Sequence, residues 1–157
     1  MSTPAPARPV RASRTQRAID TVIRTLLRSP LHGLLSGKLL TVVVIGRKTG
    51  RRIPVPVAYA EDDGVLLIGT PAAWRRNLKP ETPVEVILRG RTVWADWDVV
   101  TDEDQIADLY RVILVKNATH GRFVKVSLEP DGSVDRAELR AAMDRGVVVL
   151  RLRPRAE

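Results

Sequence analysis

The stretch Leu39–Tyr59, LLTVVVIGRKTGRRIPVPVAY, decides the fold of this chain. Its first part is apolar and rich in β-branched residues as far as Gly46, which is typical of a strand buried on both faces. Its last part, from Ile53, is a second extended run that carries two prolines. We therefore expect two neighbouring strands joined by a short turn.

The turn between the two strands is strongly cationic. Four basic side chains, a hydroxyl and a glycine fill its six positions: Arg47, Lys48, Thr49, Gly50, Arg51 and Arg52. Glycine lets the backbone turn sharply, and guanidinium and ammonium groups hold phosphates or carboxylates. The turn therefore predicts an anion-binding loop, and the alternative is a solvated hairpin turn with ordinary surface charge.

Length and composition indicate one domain that buries a core of its own. The chain has 157 residues, no cysteine and two histidines, His32 and His120. Disulfides and thiolate sites are excluded, and we expect no metal site. The sequence contains no apolar run of membrane-spanning length and no apolar segment typical of a secretory signal, so we expect a cytoplasmic protein.

The positive charge is concentrated in the first third of the chain. Residues 1–52 hold eleven Lys and Arg and one acidic residue, a balance of +10, whereas residues 53–157 hold fifteen basic and seventeen acidic residues, a balance of −2. This asymmetry indicates an anionic partner, which could be a nucleic acid, an anionic membrane or a small polyanion. The chain has three Trp, two Tyr and one Phe. So few aromatic residues argue against specific binding of single-stranded nucleic acid.

Two segments are predicted ahead of the first strand. Residues 1–12 are rich in proline and alanine, which predicts a disordered basic arm. Ser13 and Gln16 have the spacing of a capping box, which predicts a helix over residues 13–28. Its apolar residues fall on one face and its arginines on the other. The helix therefore either covers one end of the folded core or lies on an anionic membrane surface.

Turn residues and hydrophobic periodicity predict the remaining elements. They are, in order, a hairpin turn at Glu61–Gly64 with Asp63–Gly64 as its tight pair, a strand at Val65–Thr70, helical turns within Pro71–Pro80, a hairpin of strands Pro83–Leu88 and Arg91–Val100, two helices and a final strand at Val147–Leu152. We expect Thr101 to cap the first of these helices. Asp135 is predicted to cap the second helix, with Glu138 closing the capping box. The segment Phe123–Leu128 is expected to be a short strand or irregular.

This order of elements predicts an α+β fold. Strands linked by hairpins, with helices inserted between them, indicate a mainly antiparallel sheet of about six strands. A small closed or partly closed barrel leaves few strand edges exposed, so we expect helices that cover a barrel. Residues 13–157 are predicted to form this single domain.

A second cationic segment follows the third predicted strand. Arg75-Arg76-Asn77-Leu78-Lys79 lacks acidic residues and joins two strands of the predicted sheet, as the first turn does. Both segments could therefore face one ligand. The sequence contains no recognisable pair of nucleophile and base, no phosphate-binding loop motif and no metal-binding helix motif. If the protein is an enzyme, a cofactor must therefore carry the chemistry.

The segments GRKTGRRIPVPVAY and AWRRNLKPETPVEVILRGR resemble the deazaflavin (F420)-dependent nitroreductase family of the split β-barrel flavin-binding superfamily. The resemblance covers about residues 30–100. It rests on a Gly-Arg-[Arg/Lys]-[Ser/Thr]-Gly turn, a Trp-x-x-Asn-Leu segment and a Pro-x-Val-x-Val strand, in that order. It implies a split β-barrel that transfers hydride from reduced F420 to a small hydrophobic acceptor such as a quinone, an enone or a nitro compound.

The resemblance also implies roles for individual residues. The cofactor-binding residues it implies are Arg47, Lys48 and Thr49 for the phosphate, with Gly50 in the same turn, Arg51 and Arg52 for the anionic tail, and Pro56, Val57, Trp74, Arg76, Asn77 and Leu78 around the deazaflavin ring. Relatives place substrate-facing aromatic residues in the C-terminal part, where Tyr110 and Phe123 are the candidates. Water or Tyr110 would supply the proton.

Two alternatives and one question of assembly stay open at this stage. The same fold could bind FMN or a haem in place of F420. The chain could also be a non-enzymatic binder of an anionic lipid, a membrane surface or a nucleic acid, with residues 13–28 making the peripheral membrane contact. Split-barrel relatives are often dimers, so the resemblance allows a homodimer.

Overall fold

The computed structural model describes residues 39–71 and 73–156. The predicted arm at 1–12, the predicted helix at 13–28 and His32 lie outside the described residues. Within those residues the chain forms β1 (Leu39–Ile45), β2 (Arg52–Ala58), β3 (Ala60–Asp62), β4 (Val65–Thr70), a 3₁₀ helix (Ala73–Asn77), β5 (Val84–Leu88), β6 (Arg91–Val100), α1 (Glu103–Lys116), α2 (Ala118–Val124), α3 (Arg136–Asp144) and β7 (Val148–Pro154).

The seven strands form one antiparallel sheet in the order β2-β1-β5-β6-β7-β4-β3. The sheet curls into a half-barrel. Side chains of β2, at one end of this order, and of β4, near the other end, pack into the same apolar cluster. The α+β split-barrel architecture that the sequence predicts is confirmed.

The concave face of the sheet encloses the first of two cores. Leu40, Val42 and Val44 of β1 point into it, because alternate residues of a strand share one face. We call this cluster the inner core. Val43, on the opposite face of β1, is also buried, but Ile45 on that face is 39% exposed, so the predicted burial of both faces holds only in part.

The second core lies between the helices and the other face of the sheet. Ile106, Tyr110 and Ile113 of α1 and Leu139 of α3 pack with Val149 of β7, and all of these side chains are almost completely buried. We call this cluster the helical core. None of the helices within residues 39–71 and 73–156 has the length and apolar character that a membrane span requires.

The helix caps follow the prediction in one case and differ in two details. Asp135 caps α3 as predicted, with its carboxylate accepting from the Glu138 N–H at 2.9 Å. The Glu138 carboxylate does not close the capping box, because it accepts instead from the backbone N–H and hydroxyl of Ser127 at 2.8 and 2.6 Å. The predicted cap at Thr101 is wrong by one residue: Asp102 caps α1 and accepts from the Gln105 N–H at 3.0 Å.

Two elements differ from the sequence-based prediction. Asp63 and Gly64 both have positive φ, 48° and 77°, and alone make the turn, so Glu61 and Asp62 extend as the seventh strand, β3. The expectation of a strand or irregular structure from Phe123 is also wrong in part, because α2 continues to Val124. Lys125 then ends that helix in the left-handed conformation, with φ at 57°.

Candidate functional site

The turn between β1 and β2 is a tight, hydrogen-bonded loop. The Gly46 N–H donates to the Arg51 carbonyl, and the Gly50 N–H donates to the Gly46 carbonyl, each at 2.9 Å. Gly50 has φ at 65°, which a residue with a side chain adopts at a cost. The side chains of Arg47, Lys48 and Arg51 are exposed, so the loop holds three cationic groups in water.

The 3₁₀ helix carries the second cationic segment. Trp74 is half-buried and Leu78 is buried, and both pack on the inner core, as their spacing predicts. These two anchors hold Arg75 and Arg76 at the surface between them. The Arg75 Nε atom is buried and has no hydrogen-bond partner.

The structure brings the two cationic segments into contact. The Arg47 guanidinium donates a hydrogen bond to the Arg76 backbone carbonyl, which links the β1–β2 turn to the 3₁₀ helix. The two segments that are expected to face one ligand therefore lie next to each other. We call six of their seven basic residues the cationic clasp: Arg47, Lys48, Arg51, Arg75, Arg76 and Lys79. Arg52, the seventh, is left out because it pairs with Glu85.

The cationic clasp lacks carboxylate partners in the part of the chain that the structure describes. No Asp or Glu oxygen there lies within 4.0 Å of any clasp nitrogen. Arg52, beside the turn, differs because it pairs with Glu85. A bound anion would offset the repulsion between the clustered cations.

A cleft of about 210 Å³ adjoins the cationic clasp. Ile45, the last residue before the turn, lies on one wall, and Asn77, which ends the 3₁₀ helix, lies on another. Trp94 and Trp97 give the cleft aromatic surface, and the Trp97 indole N–H is fixed by donation to the Thr82 carbonyl at 2.9 Å. The site therefore offers a partly aromatic cleft next to a group of cations. Its volume is below the range of about 300–1,000 Å³ that is usual for small-molecule sites, so it would hold only part of a ligand.

Some of the predicted binding residues lie apart from this arrangement. Asn77 and Leu78 line the cleft, but Pro56 and Val57 lie farther along β2, paired with Thr41 and Leu40. Adjacent residues of a strand point to opposite faces, and Val57 packs on the inner core. Pro56 and Val57 therefore do not present side chains to the same surface. The two cleft tryptophans of β6 were missed, because their alternation indicated only a hairpin.

Tyr110 is fully buried in the helical core. Its hydroxyl lies 3.3 Å from Nε2 of His120, a partner that sequence reasoning did not find because the two residues belong to different helices. A Cβ at Gly69 would lie 2.9 Å from the same nitrogen, so the glycine leaves room for the pair. Burial raises the pKa of Tyr110 and lowers the pKa of His120. Nothing in this environment supports the expected role of Tyr110 as a proton donor.

No protein-family model matches the sequence, and no curated protein matches it. Solved structures do match. An F420-H2 dependent reductase, FDR-A, is 15% identical and superposes with a TM-score of 0.50, over 73% of this chain and 93% of that one. A conserved hypothetical protein from Mycobacterium tuberculosis is 14% identical, with a TM-score of 0.52, over 92% of this chain and 82% of that one.

A third solved structure, a domain-swapped dimer, is 17% identical, with a TM-score of 0.51, over 89% of this chain and 99% of that one. At such low identities these likenesses concern the path of the backbone. They agree with the curled antiparallel sheet and the two cores described above. The chain has the split β-barrel fold.

Proposed function

We propose that this protein is an F420-dependent reductase that binds the deazaflavin in the cleft and its anionic tail on the cationic clasp. The contact between Arg47 and Arg76 carries the proposal. It joins two cationic segments that are far apart in the sequence and places them beside an aromatic cleft. An arrangement of cations without internal counter-ions is costly unless it serves an anion from outside.

The chemistry of the donor groups fits this cofactor. F420 has a phosphate and a tail of glutamate carboxylates, and arginine guanidinium groups bind both in a bidentate manner. The one carboxylate in the cleft, Glu85, is held by Arg52 and so repels an anionic ligand less.

Each part of the site has a separate task in this proposal. Arg47, Lys48 and Arg51 hold the phosphate and the tail, and the aromatic cleft excludes water from the ring. Bound F420 in its reduced form supplies hydride. The protein orients the ring and a small hydrophobic acceptor, such as a quinone, an enone or a nitro compound, and solvent supplies the proton in place of buried Tyr110.

The solved F420-H2 dependent reductase supports the proposal through its fold alone. FMN and haem stay as competing cofactors, because a split barrel with a cationic surface suits them as well. Titration of the purified protein with F420, FMN and haemin, followed by fluorescence and absorbance, separates the three. We expect saturable binding of F420, followed by oxidation of reduced F420 when menadione is added. Tight binding of FMN or haemin without any response to F420 would overturn the proposal.

Lys48→Ala provides the matched variant. Lys48 is exposed in the turn, so the substitution leaves the fold intact while removing one cation from the clasp. We expect the Kd for F420 to rise about tenfold with no change in the melting temperature. An unchanged Kd would show that the turn does not contact the cofactor.

We also propose that the protein is a cytoplasmic homodimer. The solved domain-swapped dimer supports the dimer only as an assembly that a similar backbone adopts. Light scattering after size-exclusion chromatography tests it: a monomer mass across the micromolar range would refute the dimer. Contact of residues 13–28 with anionic membranes stays a prediction, which vesicle co-sedimentation of the full chain tests.

A further inference from the structure

A groove of about 370 Å³ lies among the helices, and none of its lining residues belongs to the cationic clasp or the aromatic cleft. We propose that this groove binds a free single-chain carboxylate of the fatty-acid class, with Arg122 and Lys125 holding the head group. The proposal stands independently of the F420 proposal, because it uses other residues and another ligand.

The floor of the groove is apolar. Leu114 of α1, Val126 and Leu128 form it, and Gly121 lies at the closest approach of α2 to the following segment. A Cβ at Gly121 would lie 2.6 Å from the Val126 carbonyl oxygen and 2.8 Å from the Leu114 side chain. Glycine therefore lets the helix lie against this floor. The volume is within the range of small-molecule sites, about 300–1,000 Å³, and an alkyl chain needs only apolar walls.

The rim of the groove is cationic. Among the described residues, no carboxylate lies within salt-bridge distance of Arg122 or Lys125. Glu138 is the one acidic residue in the lining, and its carboxylate is already held by the N–H and hydroxyl of Ser127. Two free cations beside an apolar floor complement an anionic head group on an apolar chain.

The backbone at Lys125 adds a second observation. Lys125 follows α2 in the left-handed conformation, a position that glycine normally fills because it has no Cβ. A lysine at this position has a strained backbone, and its side chain lines the groove. Strain of this kind concentrates at functional positions.

The test uses the full chain and dodecanoate below its micelle concentration, with calorimetry as the measurement. We expect saturable 1:1 binding, and at least tenfold weaker binding of dodecanol, which has the same chain without the charge. Lys125→Gly should weaken dodecanoate binding at least tenfold and leave the melting temperature unchanged or higher, because glycine relieves the strain. Arg122→Gln should weaken binding similarly.

Arg89→Gly is the matched control. Arg89 is also a cation at positive φ, 49°, and it lies outside the groove. Its loss removes the ion pair with Glu61 but should leave dodecanoate affinity unchanged. Equal binding of dodecanol, wild-type affinity in Lys125→Gly, or binding to phosphatidylglycerol vesicles without binding to free dodecanoate would each overturn the proposal.

Discussion

Arginines line two regions of this molecule, and their surroundings differ. Along β6 and β7, Arg151 and Arg153 lie directly across from Asp98 and Asp96 in the strand register, and both arginines bind Asp98. Arg155 binds Asp96 through Nε, with both oxygens at 3.1 Å. In the cationic clasp, as far as the structure describes the chain, no carboxylate plays this part.

The arginines of the β6–β7 ladder are neutralised by carboxylates of the same sheet, whereas the cations of the clasp are available to a ligand. In the β6–β7 ladder the acids and bases alternate on one sheet face, so folding itself supplies each counter-ion. Burial alone would raise the pKa of Asp98, but the hydrogen bonds from Arg151 and Arg153 outweigh it and lower the pKa. In the clasp, folding brings like charges together, and an external anion must balance them. Replacing a charged residue of the clasp should therefore weaken ligand binding, whereas replacing one of the ladder should lower the stability of the fold.

The largest effect should come from replacing the arginine that joins the two halves of the clasp. Arg47→Met removes a cation and the hydrogen bond to the Arg76 carbonyl. We expect F420 affinity to fall about 100-fold in a fluorescence titration, since a charge and the approach of the two segments are lost together. The matched ladder variant, Arg153→Met, should bind F420 as the wild type does. Similar losses in both variants would mean that total charge, and not the clasp, attracts the cofactor.

Salt concentration should change F420 binding at the clasp but not the stability that involves the ladder, and this effect should be smaller than that of Arg47→Met. Raising NaCl from 50 to 500 mM shortens the Debye length to a few ångströms and screens exposed charges. We expect F420 affinity to fall about tenfold over this range. The melting temperature should change little, because exposed ion pairs such as Arg155–Asp96 contribute little to stability. Salt-independent binding would place the cofactor in the cleft without help from the clasp.

The sequence predicts the strands well, because their signals are local. The alternation in Val84–Leu88 and Arg91–Val100 and the left-handed turn at Asp63–Gly64 each specify structure within a few residues. The clasp also follows from composition, because two acid-free basic segments each join strands of one sheet. The Arg47–Arg76 contact and the Tyr110–His120 pair depend on packing between distant elements, and no local pattern reports them. The burial of Tyr110, in contrast, follows from a local pattern, because Tyr110 shares helical spacing with Ile106 and Ile113.

In the ladder, Asp98→Asn should destabilise the protein without affecting cofactor binding. Asp98 lies between two arginines, and the amide keeps its shape but removes its charge. Its side chain is 36% exposed, so we expect a loss of about 1 kcal/mol in the free energy of unfolding in urea. The F420 affinity should stay within twofold of the wild type. A large loss of affinity would show that the ladder and the clasp are coupled.

The same residue predicts acid sensitivity with a definite sign. Because the folded-state pKa of Asp98 is lowered, its contribution to stability is present above the unfolded value of about 3.9 and is lost as the pH falls through the folded value. The wild type should therefore lose stability below about pH 4 more steeply than Asp98→Asn. Parallel curves of unfolding free energy against pH would contradict this assignment.

The smallest expected effect comes from His120, in the helical core and outside both arginine regions. Burial lowers its folded-state pKa, so the folded protein binds fewer protons than the unfolded chain. Stability should be complete above the unfolded pKa of about 6.5 and should fall as the pH drops from 7 to 5.5. His120→Asn should flatten that slope in urea unfolding. His120 is not part of the clasp or the cleft, so F420 binding should not follow the slope. If F420 affinity and stability fell together as the pH drops, protonation in the helical core would have to affect the clasp. The difference between paired arginines in the ladder and unpaired cations in the clasp would then not be enough to account for F420 binding.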